Sequence, residues 1–165
     1  MQHVQTRSTT SALVLTAVLI ALATLFTMYT KIPVPGIRGY FNVGDVVIMT
    51  SALLLGRKYG AYIGAIGPAL ADLFLGYAVF VPITFVVKGI EGYLVGTVYN
   101  NKTTTSALAA TILGGIIIVA GYFIAEYFVF DPGVAIASIL TNTIQAVMSV
   151  IVSMILYAIL RKRLG

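Results

Sequence analysis

Long apolar runs dominate this chain, and short polar or proline- and glycine-bearing segments separate them. The first run spans about residues 11–29. It ends at Lys31-Ile32-Pro33-Val34-Pro35-Gly36, where two prolines and a glycine cannot continue a helix. The second covers 43–55 and stops at Gly56-Arg57-Lys58; as a helix it measures ~20 Å, short of the ~30 Å hydrocarbon core of a bilayer. It must therefore lean on its neighbours or sit partly inside the protein. The remaining runs cover 59–76, 78–99, 106–130 and 133–160. Strands compete as a reading only for the β-branched stretch from Ile112 to Val119. Barrel strands alternate apolar and polar residues, and these runs do not. The pattern predicts an all-α integral membrane protein, a bundle of six transmembrane helices forming one domain over residues 1–165.

Composition agrees. The chain is 59% hydrophobic and 9% charged, with a mean hydropathy of +1.02. A soluble domain carries roughly 25% charged residues, so a lipid solvent removes a demand this sequence could not meet. The net charge of +5 does not point to nucleic acid, which calls for a basic face interleaved with polar groups. It fits the positive flanks of membrane helices. With an even number of spans both termini share a side. Arg7, Arg57, Lys58, Lys102 and the Arg161-Lys162-Arg163 cluster fall there, against Lys31, Arg38 and acidic Asp131 opposite. Both termini are expected in the cytoplasm of a multi-pass cell-membrane protein. Arg7 and Ala21-Leu22-Ala23 also fit a signal peptide and its cleavage site, but the apolar run continues past that site to Met28. The sequon Asn101-Lys102-Thr103 lies in an expected cytoplasmic loop and reads as chance.

Cysteine is absent and His3 is the single histidine, so no metal site and no cofactor is expected. No Walker A signature is present, and no Ser-His-Asp, HExxH or paired-carboxylate constellation, so the chain itself should neither hydrolyse ATP nor catalyse a reaction.

Two features carry chemistry. Small residues recur four apart at Ala17/Ala21, Gly60/Gly64 and Gly92/Gly96, a spacing that lets helix backbones approach closely. The two glycine pairs read as internal packing. Ala17 and Ala21 could instead receive a partner protein. Pro68 should kink the third span. Ionisable groups also lie at membrane depth, where they usually face a cavity or one another: Asp72, Lys88 with Glu91 three residues on, Tyr122 with Glu126, and the pair Asn142 and Gln145. Lys88 paired with Glu91 or Asp72 would be a structural ion pair. The alternative is a polar cavity opening outward that orients a small ligand. The loop between Lys31 and Asn42, with Pro33, Pro35, Gly36, Gly39, Tyr40 and Phe41, suits a lid whose rings stack on a flat ligand; an interfacial aromatic anchor is the plainer reading.

The stretches Gly39-Tyr40-Phe41-Asn42-Val43-Gly44-Asp45, Ala52-Leu53-Leu54-Leu55-Gly56-Arg57-Lys58-Tyr59-Gly60, Gly67-Pro68-Ala69-Leu70-Ala71-Asp72-Leu73, Pro82-Ile83-Thr84 and Lys88-Gly89 resemble the substrate-binding S components of energy-coupling factor (ECF) vitamin transporters of prokaryotic membranes. The match is good over about residues 39–96, loose in the first span, and one of character only in the last two. The resemblance implies a six-helix subunit that captures a vitamin on the outer side, under the first loop. A transmembrane coupling protein and two ATPase subunits, all separate chains, would move it. It further implies that the AxxxA face at Ala17 and Ala21 docks on the coupling protein, and that the subunit topples to release its cargo. The sequence looks closest to members handling riboflavin, hydroxymethylpyrimidine or pyridoxine, with the two single-ring compounds favoured. Tyr40 or Phe41 would stack on the ring, and Asn142, Gln145 and Asp72 would hydrogen-bond it. Two other classes stay open: a ligand-free structural or regulatory membrane subunit, and a membrane-embedded enzyme.

Overall fold

A computed structural model describes residues 9–33, 40–99 and 103–164. Six helices follow one another: α1 (Thr9–Tyr29), α2 (Gly44–Leu55), α3 (Arg57–Phe74), α4 (Phe80–Val98), α5 (Thr104–Val129) and α6 (Pro132–Leu164). The protein is an all-α membrane bundle. The stretch from Ile112 to Val119 is helical within α5. Four helices, α1, α4, α5 and α6, are long and apolar enough to cross a membrane by themselves. The outward faces carry large apolar side chains such as Val18, Phe85, Ile116, Ile124 and Ile151, as a lipid solvent permits.

The short second run explains the architecture. Helix α2 has 12 residues, and those from Gly44 to Leu53 are all buried. It touches every other helix, whereas α1 packs only on α2 and α3. The remaining helices form an open ring around it in the order α1, α3, α4, α5, α6. The too-short apolar segment is thus the core of the bundle.

Local signals set the boundaries. Gly56 alone separates α2 from α3, at φ 93°, a left-handed conformation that glycine adopts without penalty. Thr103 caps α5, its hydroxyl accepting from the Ser106 N–H at 3.1 Å. Asp131 caps α6, accepting from the Val134 N–H at 3.0 Å, and Pro132 occupies the first helical position.

Helices α3 and α4 cross at glycines. A Cβ on Gly60 or Gly92 would fall on the carbonyl oxygen of the other, and one on Gly64 on the carbonyl oxygen of Lys88. A Cβ on Gly96 would strike the start of α3 at Arg57. Both GxxxG pairs therefore act in one helix crossing. Pro68 lies within α3 and withholds the N–H that the Gly64 carbonyl would otherwise receive. Beside it, Thr24 of α1 donates to the Gly67 carbonyl at 2.9 Å, which ties α1 to α3.

The loop after α1 holds more order than the sequence suggested. Ile32–Pro33 (β1) pairs antiparallel with Tyr40–Phe41 (β2), Pro33 opposite Tyr40. A residue preceding proline is biased to extended backbone, which favours this short ribbon. Of the positions invoked above, His3, Arg7, Val34, Pro35, Gly36, Arg38, Gly39, Asn101 and Lys102 lie outside the described residues.

Candidate functional site

Beneath the hairpin, between α1, α3, α4, α5 and α6, a cavity encloses about 40 Å³ of free space, room for one or two waters. Tyr40 and Asn42 line it from the hairpin, Asp72 from α3, Lys88 from α4, Tyr122 and Glu126 from α5, and Asn142 and Gln145 from α6. Seven of the nine residues expected to meet a ligand thus converge from four helices and a loop: Tyr40, Asp72, Lys88, Tyr122, Glu126, Asn142 and Gln145.

The other two do not line it. Phe41 is adjacent to Tyr40 in β2, and successive strand side chains point to opposite faces. With Tyr40 turned to the cavity, Phe41 turns away. Glu91 is fully buried one turn past Lys88, where the missing side chain of Gly114 leaves room. A Cβ on Gly114 would meet Glu91 Cγ at 3.5 Å. Neither Glu91 oxygen has a hydrogen-bond partner among the described residues, and Lys88 Nζ lies 3.8 Å from Oε2.

The floor is an ionic network. Lys88 donates to Asp45 Oδ1; both groups are almost completely buried. Gln145 donates through Nε2 to Asp45 Oδ2 at 2.7 Å, and its Oε1 accepts from the Asn42 N–H at 3.0 Å. The cation's hydrogen-bonding partner is therefore neither Asp72 nor Glu91 but Asp45 of α2. Glu91 remains a second, longer ion-pair neighbour. The sequence signal for Asp45 was its place in the first turn of a short, otherwise apolar helix. Once that helix is central, its only carboxylate must find a cation inside the protein.

The roof is a latch. Tyr40 donates its hydroxyl to Asp72 Oδ1 at 2.6 Å. Its ring lies 5.0 Å from that of Tyr77, and Lys31 Nζ sits 5.3 Å from the Tyr77 ring centre. Burial and the adjacent Asp72 carboxylate raise the Tyr40 hydroxyl pKa, so this group stays a donor. On the far wall Thr84 and Tyr122 share a hydrogen bond at 2.9 Å, and Glu126 accepts from Ser138. Two buried polar atoms that line the cavity have no hydrogen bond among the described residues: the Asp72 carboxylate oxygen Oδ2 and the Thr27 hydroxyl Oγ1. Sequence reasoning passed over Thr27, Asn42, Thr84, Ser138 and Thr141, which give no signal in an apolar run until the fold turns them inward.

Ala17 and Ala21 are both exposed on α1, on the face away from α2 and α3. Among the described residues no cluster of three or more His, Cys, Asp or Glu is arranged to hold a metal ion.

A helical membrane bundle closed around a polar chamber near one end is the architecture of a membrane-embedded solute receptor. The family model described as "ECF-type riboflavin transporter, S component" matches residues 7–162, and the chain belongs to that family. It is an S component of an ECF transporter for a vitamin or vitamin precursor. Such subunits are non-catalytic, bind small vitamin ligands, and work with a coupling protein and ATPases.

Among curated relatives, a Pyrococcus woesei protein described as "Uncharacterized protein in gap 3'region" is 41% identical over 145 residues, covering 86% of this chain and 96% of its own. The thiamine precursor transporter HmpT of Lactococcus lactis subsp. cremoris (strain MG1363) is 28% identical over 148 residues, covering 89% and 83%. Two solved structures share the fold. The S component of a bacterial ECF transporter superposes with TM-score 0.75 at 22% identity, covering 93% of this chain and 96% of that one. The biotin S component of an ECF-type ABC transporter superposes with TM-score 0.66 at 22% identity, covering 94% and 95%.

Proposed function

We propose that this chain captures a small B vitamin or precursor in the cavity under Tyr40, with hydroxymethylpyrimidine or pyridoxine ahead of riboflavin. It delivers that compound inward together with a transmembrane coupling protein and two ATPases. The observation that carries the reading is a buried chamber roofed by Tyr40 in which Asp72 Oδ2 and Thr27 Oγ1 lack partners. Buried polar groups are normally hydrogen-bonded, so the carboxylate oxygen suits a ligand that donates, and the Thr27 hydroxyl can donate or accept. Tyr40, Asp72, Lys88, Tyr122, Glu126, Asn142 and Gln145 make the contacts, with Asp45 holding Lys88 in place. Breaking the Tyr40–Asp72 bond opens the roof. The description of HmpT as a thiamine precursor transporter supports the same choice.

Ala17 and Ala21 form the docking face for the coupling protein. Both termini are cytoplasmic, since Arg57, Lys58, Arg161 and Lys162 gather at the end away from the hairpin. Small molecules co-purifying with the protein, identified by mass spectrometry, together with a thermal-shift screen of B vitamins, test the reading. Stabilisation by the pyrimidine or pyridoxine is expected, with uptake only when the ATPase module is co-expressed. No response across the panel from well-folded protein would favour a ligand-free structural subunit instead.

A further inference from the structure

The charges of this chain are partitioned. Overall it carries ten Lys and Arg against five Asp and Glu. Four of the five acids, Asp45, Asp72, Glu91 and Glu126, are buried at the cavity or against its floor, with one base, Lys88. The nearest other described cation is Lys31, which sits over the rings of Tyr77 and Tyr40 at the rim. Arg57 and Arg161 lie over the rings of Tyr93 and Tyr157. Lys88 is engaged by Asp45, with Glu91 at 3.8 Å. Among the described residues, therefore, no cation lies within ion-pair distance of Asp72 or Glu126, which line a membrane-buried cavity. Tyr40 satisfies one Asp72 oxygen and Ser138 one Glu126 oxygen. The second Asp72 oxygen is buried and has no hydrogen bond among the described residues.

Resting on the vitamin-capture reading, we infer that the site takes its ligand as a cation: a small nitrogen heteroaromatic base protonated on the ring. Its N–H⁺ donates to Asp72 Oδ2, and a second donor reaches Glu126. A buried carboxylate without a counter-charge is costly, and a ligand that brings the cation relieves that cost through charge-assisted hydrogen bonds. The same surplus repels vitamins that carry a carboxylate. Lys88 offers such an anion little, because its charge is already shared between Asp45 and Glu91.

Calorimetry on the full-length purified chain tests this with four probes. They are 4-amino-5-hydroxymethyl-2-methylpyrimidine, its ring-N-methylated fixed cation, its benzene isostere, and a pyrimidine carboxylate. Affinity for the titratable base should fall about tenfold per pH unit above the base's own pKa; the fixed cation, which keeps the charge but has no ring N–H to donate to Asp72, should bind more weakly than the protonated base and without that slope. The fixed cation registers any titration of the site itself, where Tyr40, Lys88 and Tyr122 face Asp72 and Ser138 faces Glu126. The difference between the two therefore isolates the ligand's proton. The isostere and the carboxylate should bind roughly tenfold to a hundredfold more weakly than the base. Asp72→Asn should remove most of the base's advantage over the isostere. Should that variant fail to fold, Glu126→Gln and the wild-type pH series still decide. Equal affinity for base and isostere, pH-independent binding of the base, or preference for the carboxylate overturns the inference alone. No binding of any probe by folded protein overturns the capture reading and the inference with it.

Discussion

Helices α3 and α4 meet twice, in opposite ways. Toward Arg57 they touch backbone to backbone, because Gly60, Gly64, Gly92 and Gly96 present no side chains. Toward the hairpin the same two helices carry Asp72, Thr84 and Lys88 into a polar chamber. The glycine end gains dispersion contacts at close range and tolerates no added atom. The polar end cannot close so tightly, since Lys88 and the carboxylates need partners. One end clamps the pair by backbone contact, and the other holds polar groups around a cavity. A binding site in lipid needs both, because apolar burial alone does not hold membrane helices together.

The sharpest way to break this contrast is at the clamp. Gly92→Leu should abolish folding, since even a Cβ there falls on the Gly60 carbonyl; the measurement is recovery of monodisperse protein. Gly92→Ala should cost about 3 kcal/mol by thermal or denaturant unfolding. A variant folding like wild type would show that the helices can separate at no cost.

Next comes the floor. Lys88→Met leaves Asp45 and Glu91 buried without a cation and should destabilise by about 3–5 kcal/mol. Adding Asp45→Asn should recover part of that loss in a double-mutant cycle. Independent, additive effects would mean that the pair observed here is not coupled.

The roof should matter less to stability. Tyr40→Phe removes the bond to Asp72 and should cost about 1.5–3 kcal/mol in ligand-free protein. The raised pKa of the Tyr40 hydroxyl adds a sign. The folded state holds this proton more tightly than the unfolded chain, in which tyrosine ionises near pH ~10. Its contribution is complete below that pH and lost as pH rises above it. The stability gap between wild type and Tyr40→Phe should narrow in that range.

The smallest stability effect belongs to α1. Ala17→Trp and Ala21→Trp place rings on an exposed face and should change stability by less than about 0.5 kcal/mol while leaving vitamin binding intact. Loss of the complex with the coupling protein, read by co-purification, is the expected result. A complex that survives both changes removes the docking role.

The two ends of the α3–α4 pair differed in how far they could be read before folding. Glycines four residues apart in apolar runs predicted close helix contact, and that is where they act. Seven of the nine candidate residues line the cavity; six of these drew attention as polar side chains at membrane depth, which are rare enough to stand out, and Tyr40 as an aromatic in the first loop. Phe41 does not line the cavity, and two adjacent rings in a loop give no clue to which faces inward until Tyr40–Phe41 is known to pair with Ile32–Pro33. Asp45 went unassigned because its importance depends on α2 being central, a property of how the other five helices surround it.

The amino-acid sequence by itself determined that this chain lives in a membrane, that it forms six helices, and that its few polar groups at depth must face one another or a cavity rather than lipid. Each follows from local quantities: run length, hydropathy, the cost of an isolated charge in lipid. Only the tertiary structure decided that Lys88 bonds Asp45, 43 positions away, and that Glu91 lies off the cavity. Only the fold buries four of the five carboxylates with a single ammonium group, and places two of them, Asp45 and Glu91, within ion-pair distance of it. Partner choice among buried charges depends on which helices are neighbours, and no spacing along a chain encodes that.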